Sequence, residues 1–167
     1  MAFLVPSDKE QLQLLQNVVK WTPGRDNIRP TPRVKQHKGL FDENLRKMYD
    51  CTQSYILIEL FDYPCDFVPE HAGMLRVHVP RAEREQLVHR SAWEVQGFPY
   101  DLPQGTHHGV MWYTWSPADG LAVDTIDADV RAALRKQMGH ARFLFVWYEN
   151  PKMTVPEVYH ARRLLQN

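Results

Sequence analysis

The sequence predicts a single α+β domain in which helices pack on one face of a mainly antiparallel sheet. Two apolar, aromatic-rich runs, Val110–Trp115 and Phe143–Tyr148, have the length and composition of core strands. Other segments show amphipathic helical periodicity. The chain has 167 residues, of which 44% are hydrophobic, and 19 of them are large aromatics, so one domain can fill a core of its own.

The N-terminal part is predicted to extend from this domain. A Ser-x-x-Glu capping box precedes apolar residues at helical spacing, which predicts a helix over residues 8–20. From residue 22 to residue 38 the chain is polar, basic and broken by Pro23 and two further prolines, with no hydrophobic period. We therefore expect an N-terminal helix and a basic, proline-containing extended arm over residues 1–38, and the α+β core over residues 39–167.

The first half of the core is predicted to alternate helices with strands. Residues 42–50 favour a helix capped by an aspartate, and residues 54–61 are dense in β-forming side chains and so predict a strand. Apolar and polar residues alternate over 74–79, which predicts a second strand. A proline in the first turn and mixed charges then predict a helix over residues 80–93.

The second half adds two strands and two helices. The apolar runs predict strands over residues 109–115 and 142–148. Apolar residues at helical spacing, followed by a glycine, predict a helix over residues 124–138. A second capping box and a proline in its first turn predict a helix over residues 155–165.

Paired histidines mark the candidate site. His107 and His108 stand where a turn-rich loop enters the strand 109–115, and loop ends that feed core strands often carry binding groups. Adjacent strand residues point to opposite faces, and further ligands at a recognised spacing are missing, so we expect no metal site. One histidine buried in the structure and one solvated is the alternative interpretation.

Further polar residues are expected to converge with these histidines. If the strands 109–115 and 142–148 are neighbours, Asn150 and His160 lie near one of the pair, and Arg162 adds affinity for phosphate. A solvated helix face is the alternative for the arginine, and core packing is the alternative to a stacking role for Trp112. The catalytic candidates are His107, His108 and His160.

Four motifs support a resemblance to a known family. They are Phe98-Pro-Tyr, Leu102-Pro-Gln-Gly-Thr-His-His-Gly-Val-Met-Trp, Phe145-Val-Trp-Tyr-Glu-Asn and Val155-Pro-Glu-Val-Tyr-His. Together they resemble the C-terminal half of the N-acetylglucosamine-induced protein family of fungi, a domain of unknown function, over about 70 residues from Gly97 to Leu165. The resemblance implies matching positions at Pro99, Tyr100, His107 or His108, Trp112, Trp147, Asn150 and His160.

The resemblance also implies altered chemistry. The family pattern ends in two histidines separated by one residue, which is distantly similar to the histidine-triad nucleotide hydrolases. Here Arg162 occupies the second position and only His160 is kept. The expected ligand-binding residues are Tyr100, His108, Trp112, Asn150, His160 and Arg162.

Charge and cysteine content limit the classes of partner. Twenty basic residues balance twenty acidic ones, so we do not expect nucleic acid as a partner. No stretch approaches the roughly 20 apolar residues that span a bilayer, so we expect no membrane association. The two cysteines have no metal or disulfide spacing. We therefore expect a cytoplasmic protein without a cofactor, with association with the cytoskeleton as one form of assembly.

Two functions follow as hypotheses. The first is a non-catalytic accessory or structural subunit on a degenerate enzyme-like scaffold, docked onto a larger protein assembly through the arm and termini. An arm without a core and the missing second histidine favour it. Its expected partner-binding residues are Arg25, Arg29, Arg33, Lys35 and Lys38. The alternative is a small hydrolase or binding protein for a nucleotide, a sugar phosphate or a similar anionic small molecule.

Overall fold

The structure is a computed structural model. It describes residues 29–71, 73–79, 89–95, 97–98, 100–139, 144–149 and 155–166, together with residues 13 and 17. Most of the predicted helix over residues 8–20, and residues 22–28 of the predicted arm, lie outside the described residues.

The first described helix, α1, spans Pro32–Met48. The Thr31 hydroxyl accepts a hydrogen bond from the Val34 amide at 3.3 Å, and Pro32 occupies the first helical position. The extended conformation predicted for residues 22–38 is therefore wrong for residues 32–38. Leu45 is the buried residue of this helix, and the Thr31 cap with Pro32 is the local signal for its start.

The second helix, α2, spans Thr52–Phe61, where a strand was predicted over residues 54–61. The Cys51 sulfur accepts from the Ser54 amide at 3.4 Å at its start. At its end Asp62 adopts a left-handed conformation with φ 54°, and its amide bonds to the Ile58 carbonyl. The prediction failed because a short apolar run suits a buried helix as well as a strand.

A small hairpin follows α2. It consists of β1, Cys65–Phe67, and β2, Leu75–Val77, which pair antiparallel. The strand predicted over residues 74–79 is thus confirmed in its centre, whereas β1 was not predicted. The next strand, β3, spans Ser91–Val95, so the helix predicted over residues 80–93 is wrong at its end, and residues 80–88 lie outside the described residues.

Among the described residues, four strands form the main sheet, in the order β3-β4-β6-β5 with every neighbouring pair antiparallel. β4 spans Thr106–Tyr113 and β5 spans Leu144–Glu149, which confirms the two predicted core strands. The two strands were expected to be neighbours. They are not, because β6, Tyr159–Gln166, lies between them.

The segment that forms β6 was predicted to be a helix over residues 155–165. Strand β6 has a neighbour on each side, and Tyr159, His160 and Ala161 are all buried. A strand covered on both faces carries apolar residues at successive positions, which local patterns do not distinguish from a helical spacing. Tertiary packing therefore overrides the capping-box signal.

The third helix, α3, spans Val123–Met138, which confirms the helix predicted over residues 124–138. Its buried residues Ile126, Val130 and Leu134 pack against one face of the sheet, at Met111, Tyr113, Trp147, Tyr159 and Ala161. Helix α2 packs against the opposite face, next to Ala92 and Trp112. The α+β class and the antiparallel sheet are confirmed, but helices cover both faces of the sheet instead of one.

None of the helices in the described part of the chain combines the length and the apolar character that crossing a bilayer requires.

A candidate ligand pocket between the sheet and the first two helices

The face of the sheet that α2 covers carries a row of four side chains, one from each strand. Glu94 on β3 is paired with Val110 on β4, Val110 with Arg162 on β6, and Arg162 with Tyr148 on β5. Paired residues of antiparallel strands point to the same face, so the four side chains share it. In the next row Trp112 is paired with His160.

A pocket of about 240 Å³ lies over these rows. Its volume is slightly below the about 300–1,000 Å³ typical of pockets for drug-sized ligands, and its mixture of aromatic and apolar side chains with a few polar groups is typical of small-molecule sites. The lining comes from α1, α2, the sheet and two loops: Lys38, Phe41, Asp42, Leu45, Thr52, Tyr55, Ile56, Glu94, Gly97, Phe98, Val110, Trp112, Val155, His160 and Arg162.

Aromatic contacts build the outer wall. Phe98, on the loop between β3 and β4, lies 5.6 Å from the ring of His37 and 5.3 Å from the ring of Phe41. Phe41 in turn contacts Tyr55 of α2 at 5.7 Å. Edge-to-face and tilted arrangements at these distances are favourable, so the loop, α1 and α2 hold one another in place around the pocket.

Trp112 is fixed on the pocket floor by its polar edge. Its indole Nε1 donates to Glu94 Oε2 at 2.9 Å, and its ring lies 4.4 Å from that of His160.

Burial and the nearby carboxylates of Glu94 and Glu59 raise the pKa of Tyr55, so this phenol is neutral and able to donate.

His160 is neutral at physiological pH. Its side chain is buried, with 3% of the residue exposed, and Nδ1 lies 3.1 Å from the Val158 carbonyl oxygen, to which it donates. Burial lowers the pKa of His160 to about 4, and the charge of Arg162 acts in the same direction. With its proton on Nδ1, the imidazole presents Nε2 as a hydrogen-bond acceptor.

Arg162 places a positive charge at the other end of the pocket. Its Nη1 donates to the Tyr100 hydroxyl, and its buried Nε has no hydrogen-bond partner among the described residues. Burial raises the pKa of Tyr148, which is paired with Arg162 across the sheet, although the guanidinium acts against this shift. The Tyr100 ring also packs 4.8 Å from the ring of His108.

Lys38 is the second cation that lines the pocket, and it is already neutralised. Its ammonium lies 2.5 Å from Asp42, one turn later on α1. Arg162 forms no ion pair with a carboxylate in the described residues. The guanidinium is therefore the pocket's uncompensated positive charge within the described part of the chain.

The structure brings together most of the predicted ligand-binding residues. Tyr100 lies next to His108 and Arg162, and Trp112 lies next to His160, all on the same face of the sheet. Asn150 lies outside the described residues. Of the catalytic candidates, His160 lines the pocket, His108 is buried against Tyr100, and His107 is exposed on the opposite face.

The predicted partner-binding residues divide into two groups. Arg33, Lys35 and Lys38 are exposed on α1, and Arg29 is exposed just before this helix, whereas Arg25 lies outside the described residues. Lys38 also lines the pocket, a position that was not predicted from the sequence.

Sequence reasoning missed the residues that complete the pocket, chiefly Glu94, Phe41 and Tyr55. Tyr55 was assigned to a strand, whereas Phe41 and Glu94 lay outside the helices predicted over residues 42–50 and 80–93. The alternation in Ser-Ala-Trp-Glu-Val was an available signal for a strand that directs Glu94 and Ala92 to one face.

Groups of three or more histidine, cysteine, aspartate or glutamate residues arranged to hold a metal ion do not occur among the described residues. Comparison with protein-family models, with curated proteins and with solved structures found no match for this chain. The resemblance to the N-acetylglucosamine-induced protein family therefore stays a hypothesis.

Proposed function

We propose that this protein binds a small organic anion in the pocket between α1, α2 and the sheet. The observation that carries the proposal is the Arg162 guanidinium, which lines an aromatic pocket without a carboxylate partner in the described residues. A partly buried guanidinium has donors left over after its bond to Tyr100, and carboxylates and phosphates accept such donors in a forked geometry.

The body of the ligand is expected to be a ring. The indole N–H of Trp112 donates to Glu94, which fixes the indole ring on the pocket floor. The rings of Phe41 and Phe98 form part of the pocket wall. Aromatic surfaces of this kind stack on planar rings or on the apolar face of a sugar. The class of ligand is therefore a cyclic carboxylate, a sugar phosphate or a mononucleotide, of a size that about 240 Å³ admits.

Binding fits the pocket better than acid-base catalysis does. A general base works best when its pKa is near the operating pH, whereas the pKa of His160 is lowered to about 4.

Docking onto a larger assembly through the N-terminal segment is the competing hypothesis. Helix α1 uses part of the basic segment to line the pocket, since Lys38 and Phe41 both face it. This use of α1 favours the ligand-binding function.

Thermal shift followed by calorimetry tests the proposal. The panel is inorganic phosphate, cyclic carboxylates, sugar phosphates and nucleoside monophosphates. A ligand present at 100 times its Kd should stabilise the protein by about 2.7 kcal/mol. Arg162→Gln should weaken this binding about 10- to 150-fold, because a hydrogen bond to a charged group contributes about 1.5–3 kcal/mol.

Arg33→Gln is the matched control, because Arg33 is an exposed arginine of α1 that does not line the pocket. It should leave the affinity unchanged. Failure of the whole panel to bind, or equal affinity in Arg162→Gln and the unmodified protein, would overturn the proposed function.

A further inference from the structure

Two oppositely charged side chains face each other across the pocket floor. Glu94 on β3 and Arg162 on β6 are both paired with Val110 on β4, so they flank it on the same face of the sheet. Neighbouring strands are about 4.8 Å apart, which places the two Cα atoms about 10 Å from each other. Val110 is 2% exposed and forms an apolar floor between them.

The two charges do not cancel each other. Arg162 bonds to the Tyr100 hydroxyl, and Glu94 Oε2 accepts from the Trp112 indole at 2.9 Å. The remaining charged pair of the pocket, Lys38 and Asp42, forms its own ion pair at 2.5 Å.

The carboxylate of Glu94 keeps capacity to accept further hydrogen bonds. An ionised carboxylate has about four acceptor positions, and the indole N–H uses one of them. A neighbouring donor of the protein, Tyr55, also lines the pocket beside Glu94. The remaining positions suit a donor that enters with a ligand.

We propose that the ligand is zwitterionic, with a carboxylate or phosphate at Arg162, a protonated amine at Glu94 and an apolar ring above Val110 and beside Trp112. This inference rests on the proposed function and adds the second charged group of the ligand. A zwitterionic ligand neutralises both the Glu94 carboxylate and the Arg162 guanidinium, which the fold leaves separate. A singly charged analogue leaves one of these two groups without a partner in a partly buried site, and an uncharged analogue leaves both.

Matched probes separate the two ends. Calorimetry compares 4-(aminomethyl)benzoate with 4-methylbenzoate on the unmodified protein, on Glu94→Gln and on Arg162→Gln. The two probes share the ring and the carboxylate and differ in the ammonium. Glutamine at position 94 keeps an oxygen that accepts from the Trp112 indole, so the pocket floor is preserved.

The unmodified protein should bind the amine-bearing probe at least 10-fold more tightly than 4-methylbenzoate. Glu94→Gln should abolish that preference without weakening 4-methylbenzoate, and Arg162→Gln should weaken both probes. Unfolding midpoints of the three proteins provide the check that each variant is folded.

Two results would overturn the zwitterionic ligand: equal affinity of the unmodified protein for the two probes, or an equal loss for both in Glu94→Gln. Those results leave the anion pocket intact, whereas failure of all anions to bind overturns the proposed function itself.

Discussion

Trp112 and His160 lie directly opposite each other on β4 and β6, and their rings are 4.4 Å apart on the face of the sheet that α2 covers. This pair forms the floor of the pocket on which the proposed function depends. The protonation of His160 and the hydrogen bond from Trp112 to Glu94 can each be tested directly.

Stability should fall in acid because of His160. The folded protein holds the pKa of this imidazole at about 4, against an ordinary value of 6.5, so the folded state binds fewer protons than the unfolded state. The favourable contribution is fully present above pH 6.5 and is lost as the pH falls toward 4. Its size is about 3 kcal/mol, from 1.36 kcal/mol for each unit of pKa.

Urea unfolding at pH 7 and pH 4.5 measures this effect. The unmodified protein should lose more unfolding free energy between the two conditions than His160→Gln, which has no proton to gain there. The same loss in both proteins would show that His160 is not held neutral by burial.

Trp112→Phe should impair ligand binding more than it impairs stability. The substitution removes the N–H that Glu94 accepts, at a cost in stability of about 1 kcal/mol, and reduces the stacking surface. We expect a 5- to 50-fold loss of affinity by calorimetry. Trp115→Phe is the control, because Trp115 stacks on His89 at 4.4 Å and does not line the pocket. A comparable loss in the control would contradict the prediction.

Tyr100→Phe should weaken anion binding by a factor of about 2–10. The hydroxyl of Tyr100 accepts from the Arg162 guanidinium, while its ring packs against His108. Phenylalanine keeps the ring contact and removes the hydrogen bond, so Arg162 loses the group that positions it. Combining Tyr100→Phe with Arg162→Gln should add little to the effect of Arg162→Gln alone. Additive losses in this double-mutant cycle would mean that Tyr100 acts independently of Arg162.

Leu134→Ala should destabilise the fold without changing the affinity of the folded protein. Leu134 is completely buried between α3 and the face of the sheet opposite the pocket. Removing a buried leucine side chain costs about 2–5 kcal/mol. Denaturant unfolding measures this loss, and calorimetry under conditions where the variant is folded should return an unchanged Kd. A weakened Kd would mean that the two faces of the sheet are coupled.

The parts of the fold that sequence predicted are those with a strong and long local signal. The apolar runs of β4 and β5 and the amphipathic period of α3 were assigned correctly. Helix α2 and strand β6 were each predicted as the opposite type. α2 is a short apolar segment, and the apolar residues of β6 also fit a helical spacing, so the type of each depends on what packs against it.

Most of the site residues on the sheet were predicted, whereas the pocket wall formed by α1 was not. Strand alternation separated His107 from His108. His160 and Arg162 were assigned to a helix, so their position on one face of β6 was not predicted. The wall that α1 contributes through Phe41 leaves no signal in the local sequence, because its contact with Phe98 joins segments far apart in the chain.

The position of β6 has a consequence for how the sheet assembles. Of the described strands β6 is the last in the sequence, yet it joins β4 to β5. During synthesis both of those strands leave the ribosome before the strand that pairs with them, so each carries an unsatisfied hydrogen-bonding edge in the meantime. A nascent chain that stops before Tyr159 should therefore be a target for chaperones and prone to aggregate.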